Sequence, residues 1–267
     1  MIKTHEVAPW IERLARVGYV AKALLYGTIG ALAALAAFSS GGRTTDTRGA
    51  MGTLLGAPMG RALLAAIALG LLGYALWRLV EGALDPERRG SDVKALAVRA
   101  SFIVRGLAHG LLALSAAKLA LGKPSSGDDE KEEQATRAAF ELPAGEWIVW
   151  AAAIGIAGYG VYQLYRAATA KLSDQLDTAE MSSETGRWVI GVSRFGIAAR
   201  GIVFIAIAWL VMRAAREHDS SEAGGVRDAL GTLQDFGQWP FAAIAVGLIA
   251  YGGYQLLSSR YRRIRVR

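Results

Sequence analysis

Three cations stand where a cation is costly. Lys22, Arg105 and Arg200 each follow another basic residue (Arg16, Arg99, Arg194) by six positions, and each lies within an apolar run. A charge kept at membrane depth is expensive and by default marks an ion or ligand path. At helical rise each sits about 9 Å deeper than its companion. From that depth a Lys or Arg side chain can also snorkel back to the headgroups, and the residues alone leave both readings open. Tyr26, His109 and Phe204 stand four residues further on, a spacing that allows a cation–π or hydrogen-bonded contact on one helix face.

A second set is as regular. Tyr74, Tyr159 and Tyr251 are followed four residues later by Arg78, Gln163 and Gln255. Counted along the helices, the tyrosines fall at about the depth of the cations. One reading is a hydrogen-bonded belt within each helical hairpin, at ~0.6 kcal/mol per bond. The other is a lining of cations, Tyr and Gln around a cavity suited to an anion or a lipid headgroup. Glu81 is positioned to pair with Arg78 at i, i+3. The glycine sets (Gly70 and Gly73, Gly155, Gly158 and Gly160, Gly247, Gly252 and Gly253, Gly106 and Gly110) read as close-packing seams, since small residues drive helix association in lipid.

Enzyme chemistry finds little support. The three histidines, His5, His109 and His218, are not at ligand spacing, and no intramembrane carboxylate pair, Ser–His–Asp set or phosphate-binding glycine loop stands out. There is no cysteine, which removes disulfides, thiol catalysis and cysteine-held metals. No cofactor is expected. Spans without internal Asp or Glu also argue against a proton relay. The net charge of +7 is distributed loop by loop, which favours membrane orientation over nucleic-acid binding.

The elements that must position these groups are membrane spans. The chain is 53% hydrophobic with 32 Gly, and its mean hydropathy is +0.29. Apolar stretches cover 17–38, 62–84, 100–121, 147–164, 195–212 and 241–257, each near the ~20 residues that cross a bilayer. Six such runs weigh against a soluble helical bundle. The first resembles a signal peptide, but its pattern recurs twice inside the chain, where no signal peptide can lie.

Indeed the whole chain is one unit in triplicate. The first helices align as Arg16-Val-Gly-Tyr-Val-Ala-Lys22, Arg99-Ala-Ser-Phe-Ile-Val-Arg105 and Arg194-Phe-Gly-Ile-Ala-Ala-Arg200. The second helices share Gly, two apolar residues, Gly or Ala, Tyr, two small or apolar residues, Trp or Tyr, Arg or Gln, then Leu, beginning at Gly70, Gly155 and Gly247. Residues 1–84, 85–172 and 173–267 form the three repeats. Between paired helices, connectors starting at Arg48, Arg137 and Arg227 read as short amphipathic helices with an apolar face in the interface. Gly41, Gly42 and the stretch 125–134 read as flexible, the last as disordered. An even number of crossings keeps copies parallel, so the expected fold is an all-α, pseudo-threefold, six-helix membrane bundle.

Orientation follows from Lys and Arg. The segments on the side of the termini hold 3, 5, 4 and 5, seventeen in all, and those on the other side hold 3, 4 and 3, ten in all. The richer face is cytoplasmic by the positive-inside rule, with both termini inside. Trp10 and Trp188 on that face, and Trp147, Trp150 and Trp239 on the other, form two aromatic belts.

The triple repeat, with a Lys- or Arg-bearing first helix and a Gly-x-x-Gly/Ala-Tyr second helix, resembles the bacterial membrane proteins grouped as domain of unknown function 1206. The likeness runs from about Trp10 to Leu257. It implies a bacterial plasma-membrane protein of three tandem domains and brings no ligand residues with it. The second copy departs slightly, with Val93 where the others have Trp and with Leu142-Pro143 ending its connector. Two functions fit. One is a channel or carrier for a small anionic or amphiphilic solute, drawn by Lys22, Arg105 and Arg200. The other is a non-transporting scaffold or accessory subunit, binding a protein partner through the basic tail 260–267 or the acidic segment 128–133. That tail equally suits anionic lipid headgroups at the cytoplasmic face.

Overall fold

The repeats of the sequence become a ring whose closest helix pairs cross repeat boundaries. A computed structural model describes residues 9–38, 44–85, 90–123, 129–169 and 183–261; no strand occurs among them. In chain order the helices are α1 (Pro9–Phe38), α2 (Thr47–Leu55), α3 (Gly60–Leu84), α4 (Val93–Ala120), α5 (Asp129–Phe140), α6 (Gly145–Thr169), α7 (Ser183–Glu217), α8 (Val226–Gln234) and α9 (Gln238–Tyr261), with a 3-10 turn at Ser220–Glu222 before α8. Six of them, α1, α3, α4, α6, α7 and α9, are long and apolar enough to cross a membrane. They run past the apolar windows. α7 begins twelve residues before Phe195, because helical hydrogen bonding continues through polar turns once the apolar segment is ordered.

Around the ring the order is α1, α3, α4, α6, α7, α9. The most extensive contacts are α3 with α4, α6 with α7, and α9 with α1, so the second helix of each copy packs on the first helix of the next and the third copy closes onto the first. Glycine permits each crossing. A Cβ on Gly106 would lie 3.1 Å from the Ala75 oxygen, one on Gly160 2.9 Å from the Gly201 oxygen, and one on Gly252 2.9 Å from the Ala23 oxygen. These three pairs are equivalent positions of the repeat, one residue past the Tyr and one past the cation.

The outer cation of each first helix locks the same joint. Arg16 donates to the Ser259 and Arg260 oxygens, both at 2.6 Å. Arg99 donates to the Gly82 and Ala83 oxygens, both at 2.9 Å. Arg194 donates to those of Ala167 and Ala168 at 2.5 and 2.8 Å. Each guanidinium thus satisfies the unpaired carbonyls at the C-terminal end of the preceding copy's second helix, where the dipole favours a cation.

Within the repeats the picture is unequal. α1 packs on α3 and α7 on α9, but α4 and α6 barely touch, and they are the two spans with the least of their surface buried. The half of the bundle nearer the connectors is a solid apolar core, including Leu25, Ile29, Leu64, Leu71, Leu210, Phe241 and Leu248. α2 and α8 lie across its end and bury Met51 and Leu230 in that same core, so the apolar faces of these two connectors turn into protein. α5 instead packs on α6 and the 3-10 turn. The stretch expected to be disordered is therefore helical over residues 129–134, because the acidic start of α5 favours a helix N-terminus. Residues 125–128, Gly41 and Gly42 lie outside the described residues, as do 262–267 of the basic tail.

The turns into α3 and α6 place Met59 and Ala144 at positive φ. The glycine follows one residue later, where a Cβ on Gly60 would lie 2.5 Å from the Leu54 oxygen. Trp147, Trp188 and Trp239 are exposed at helix starts on the two faces, as aromatic belts require.

Candidate functional site

Each second-helix tyrosine is a hub of the same construction. Its ring faces the cation of its own repeat. Lys22 Nζ lies 4.1 Å from the Tyr74 centroid, the Arg105 guanidinium 5.7 Å from that of Tyr159, and the Arg200 guanidinium 5.0 Å from that of Tyr251. Against the same ring lies the residue four past the cation of the next repeat. His109 meets Tyr74 at 4.7 Å, Phe204 meets Tyr159 at 4.9 Å, and Tyr26 meets Tyr251 at 4.7 Å. The threefold pattern therefore extends from backbone to side chains. Beside these cation–ring contacts within each hairpin, the hydrogen bonds of Arg200 join repeats, to Tyr26 of the first and Tyr159 of the second. The cause is the packing itself, which sets each second helix most closely against the next copy.

The three cations nevertheless differ. Arg200 is 7% exposed and fully caged, donating Nε to the Tyr26 hydroxyl at 3.0 Å and Nη1 to the Tyr159 hydroxyl at 2.9 Å, with Phe204 4.6 Å away. Arg105 is half-buried. It turns back along α4, donating Nε to the Ser101 oxygen and Nη2 to the Ser101 hydroxyl. Lys22 is 5% exposed and has no hydrogen-bond acceptor among the described residues. Its one close partner is the face of Tyr74. Neither Lys22 nor Arg200 snorkels, because aromatic faces and hydroxyls inside the ring offer an attractive, partly polar alternative to the headgroups.

Arg78 joins the cluster from α3. It donates Nε to the Tyr74 hydroxyl at 3.0 Å and forms a buried ion pair with Glu81 at 2.5 Å. Tyr19 packs edge-on to the Tyr74 ring. His109 Nδ1 meets the Arg105 oxygen at 2.8 Å. A carbonyl can only accept, so Nδ1 donates and a neutral ring keeps Nε2 as acceptor. The expected site residues thus divide. Lys22, Tyr74, Arg78, Arg105, His109, Tyr159, Arg200 and Tyr251 come together. Gln163 is buried but accepts from Arg166 Nη1 at 3.2 Å, nearer the termini, and Gln255 is buried without joining a charged group among the described residues.

The geometry adds Tyr26, Phe204 and Ser101 to the cluster. The first two carried a sequence signal, their spacing from the cations, which Phe204 fulfils against Arg200 on its own helix, while the contacts of both with a neighbouring repeat had no signal in that spacing. Ser101 aligns with Gly18 and Gly196, and nothing in a glycine pattern announces a ligand for Arg105.

The cluster can attract a negative group. Lys22 and Arg78 stand over the Tyr74 ring at 4.1 and 5.1 Å, Arg105 and Arg200 over the Tyr159 ring at 5.7 and 5.5 Å, and Glu81 is the one carboxylate drawn in among the described residues. No group of three or more His, Asp or Glu there could hold a metal.

Comparison with known proteins places this arrangement in a family. The chain is 29% identical over 264 residues to "Uncharacterized protein YxxB" of Bacillus subtilis (strain 168), covering 97% of this chain and 94% of that one. No solved structure matches. Three tandem regions, 17–85, 100–170 and 195–262, match one family, and with most of its length so matched the chain belongs to the family described as Domain of Unknown Function (DUF1206).

Proposed function

We propose that the protein is a carrier for a small anionic or amphiphilic solute, whose negative group is held by Lys22, Arg105 and Arg200. The observation that carries this reading is an uncompensated interior charge. Arg78 is neutralised by Glu81, and three further cations stand with hydroxyls, a backbone oxygen and aromatic rings as their partners. Taking charge out of water costs several kcal/mol per ion, and an entering anion offsets that cost. A carrier suits the bundle better than an open axial channel, because its connector half is filled by the apolar core. The face bearing the termini is the cytoplasmic one in this reading, by its excess of Lys and Arg, in the plasma membrane of a bacterium.

Lys22→Gln is the cleanest test, because Lys22 has no hydrogen bond to lose among the described residues. In vesicles reconstituted with the full chain, flux of sulfate, phosphate and alkyl phosphates should fall at least tenfold. A variant with wild-type flux and wild-type anion binding overturns the proposal. It would leave the scaffold reading, in which deletion of 262–267 removes a co-purifying partner.

A further inference from the structure

The second repeat carries a packing seam whose glycines meet nothing among the described residues. In the first repeat Gly70 meets α1, where a Cβ would lie 2.9 Å from the Val17 oxygen, and in the third the equivalent Gly247 packs against Ala199 and Phe195. Their counterpart Gly155, and Gly158 beside it, have nothing within 4 Å. Across from them the same holds. Ala21 and Ala199 are 2% and 3% exposed, but the equivalent Val104 on α4 is 66% exposed. Two helices of one hairpin thus present seam residues to each other without meeting. The cleft they leave opens sideways, in the direction of the bilayer, and Arg105 stands beside Val104 with Tyr159 across from it.

We infer that the α4–α6 cleft is a lateral binding site for an anionic membrane amphiphile, its chain along Val104, Gly155 and Gly158 and its negative head at Arg105 and Lys22. This deepens the proposed carrier site and rests on it. Three observations choose the occupant. A cleft between spans is bathed in acyl chains, and an apolar wall with exposed glycines accepts a chain closely. Behind it lies a cation cluster with one carboxylate, which complements a phosphate or carboxylate head. Within it Lys22, 5% exposed, has no acceptor among the described residues.

The test places the full chain in nanodiscs of phosphatidylcholine with a tenth of phosphatidylglycerol bearing a photoactivatable group on one acyl chain. Labelled peptides are then mapped. Labelling should concentrate on α4 and α6 and fall at least fivefold with Gly155→Leu plus Gly158→Leu, side chains that the structure has room for. A phosphatidylcholine probe should label the cleft several-fold less, and Lys22→Gln should erase that preference. Even labelling of all six spans, with Lys22→Gln still abolishing sulfate binding, overturns the cleft and spares the anion site. Cleft labelling that is equal for both lipids and indifferent to Lys22→Gln overturns both. Cross-linked dimers through α4 or α6 in place of lipid adducts would make the occupant a second copy and overturn the inference.

Discussion

Gly70→Ala and Gly155→Ala are the same substitution at equivalent positions of two repeats, and they should differ in sign. On Gly70 the new methyl would lie 2.9 Å from both the oxygen and a methyl carbon of Val17, well inside the ~3.5–4.0 Å at which carbon contacts become favourable. Overpacking of this kind costs about 1–3 kcal/mol. On Gly155 the methyl meets nothing within 4 Å. The gain in helix propensity, about 1 kcal/mol from Gly to Ala, is common to both and cancels in the comparison. Gly155→Ala should therefore be the more stable of the pair by about 1–3 kcal/mol, and at or above the wild type. Thermal unfolding of purified protein in one detergent, followed by the loss of helical circular dichroism, measures the difference directly. Equal melting temperatures, or a lower one for Gly155→Ala, would mean that α4 and α6 close on each other as the other hairpins do, and the cleft would be gone.

Other consequences follow from single contacts. Arg99→Met removes two bonds to the Gly82 and Ala83 oxygens and should cost about 1.5–3 kcal/mol for each charged bond made at full strength, read as a lower melting temperature, with Arg99→Lys recovering part. Tyr159→Phe deprives Arg200 Nη1 of its acceptor and should destabilise by about 1–3 kcal/mol; Tyr162→Phe on the exposed face should stay within about 0.5 kcal/mol. Glu81→Gln strips Arg78 of its buried partner, a loss of about 3–5 kcal/mol, and added sulfate should recover part of the lost stability. Lys22→Met should raise the melting temperature without anion, since several kcal/mol of desolvation outweighs a buried cation–π contact of about 2 kcal/mol, while abolishing stabilisation by sulfate. Loss of both stability and sulfate response on Lys22→Met would refute the reading of that ammonium as held by a ring face without an acceptor.

Much of this architecture was legible from the chain. Six runs of apolar residues can satisfy their backbones in lipid as helices, and the threefold spacing of cation, aromatic and tyrosine revealed the repeat. The pairing of Arg78 with Glu81 was legible too, because i, i+3 is a local relation that the helix alone decides. What escaped were the relations across helices. The roles of Arg16, Arg99 and Arg194 depend on which helix end lies beside them, and spacing within a helix says nothing of that. Phe204 keeps the same-helix contact that its spacing from Arg200 allowed, but its place against Tyr159, and that of the Tyr26 hydroxyl at Arg200, lie across repeats and escaped for the same reason.

The residues by themselves determined the kind of element, its number and the level in the membrane at which charge is kept, because hydropathy, periodicity and repetition are local properties. Only the tertiary structure decided that the copies interlock through Arg–carbonyl clamps, that Arg200 is caged while Lys22 has no acceptor among the described residues, and that α4 stands away from α6. Gly155 and Gly158 fit a closed seam as well as Gly70 and Gly73 do. They do not form one because α4 and α6 pack most extensively on α3 and α7 and hardly on each other.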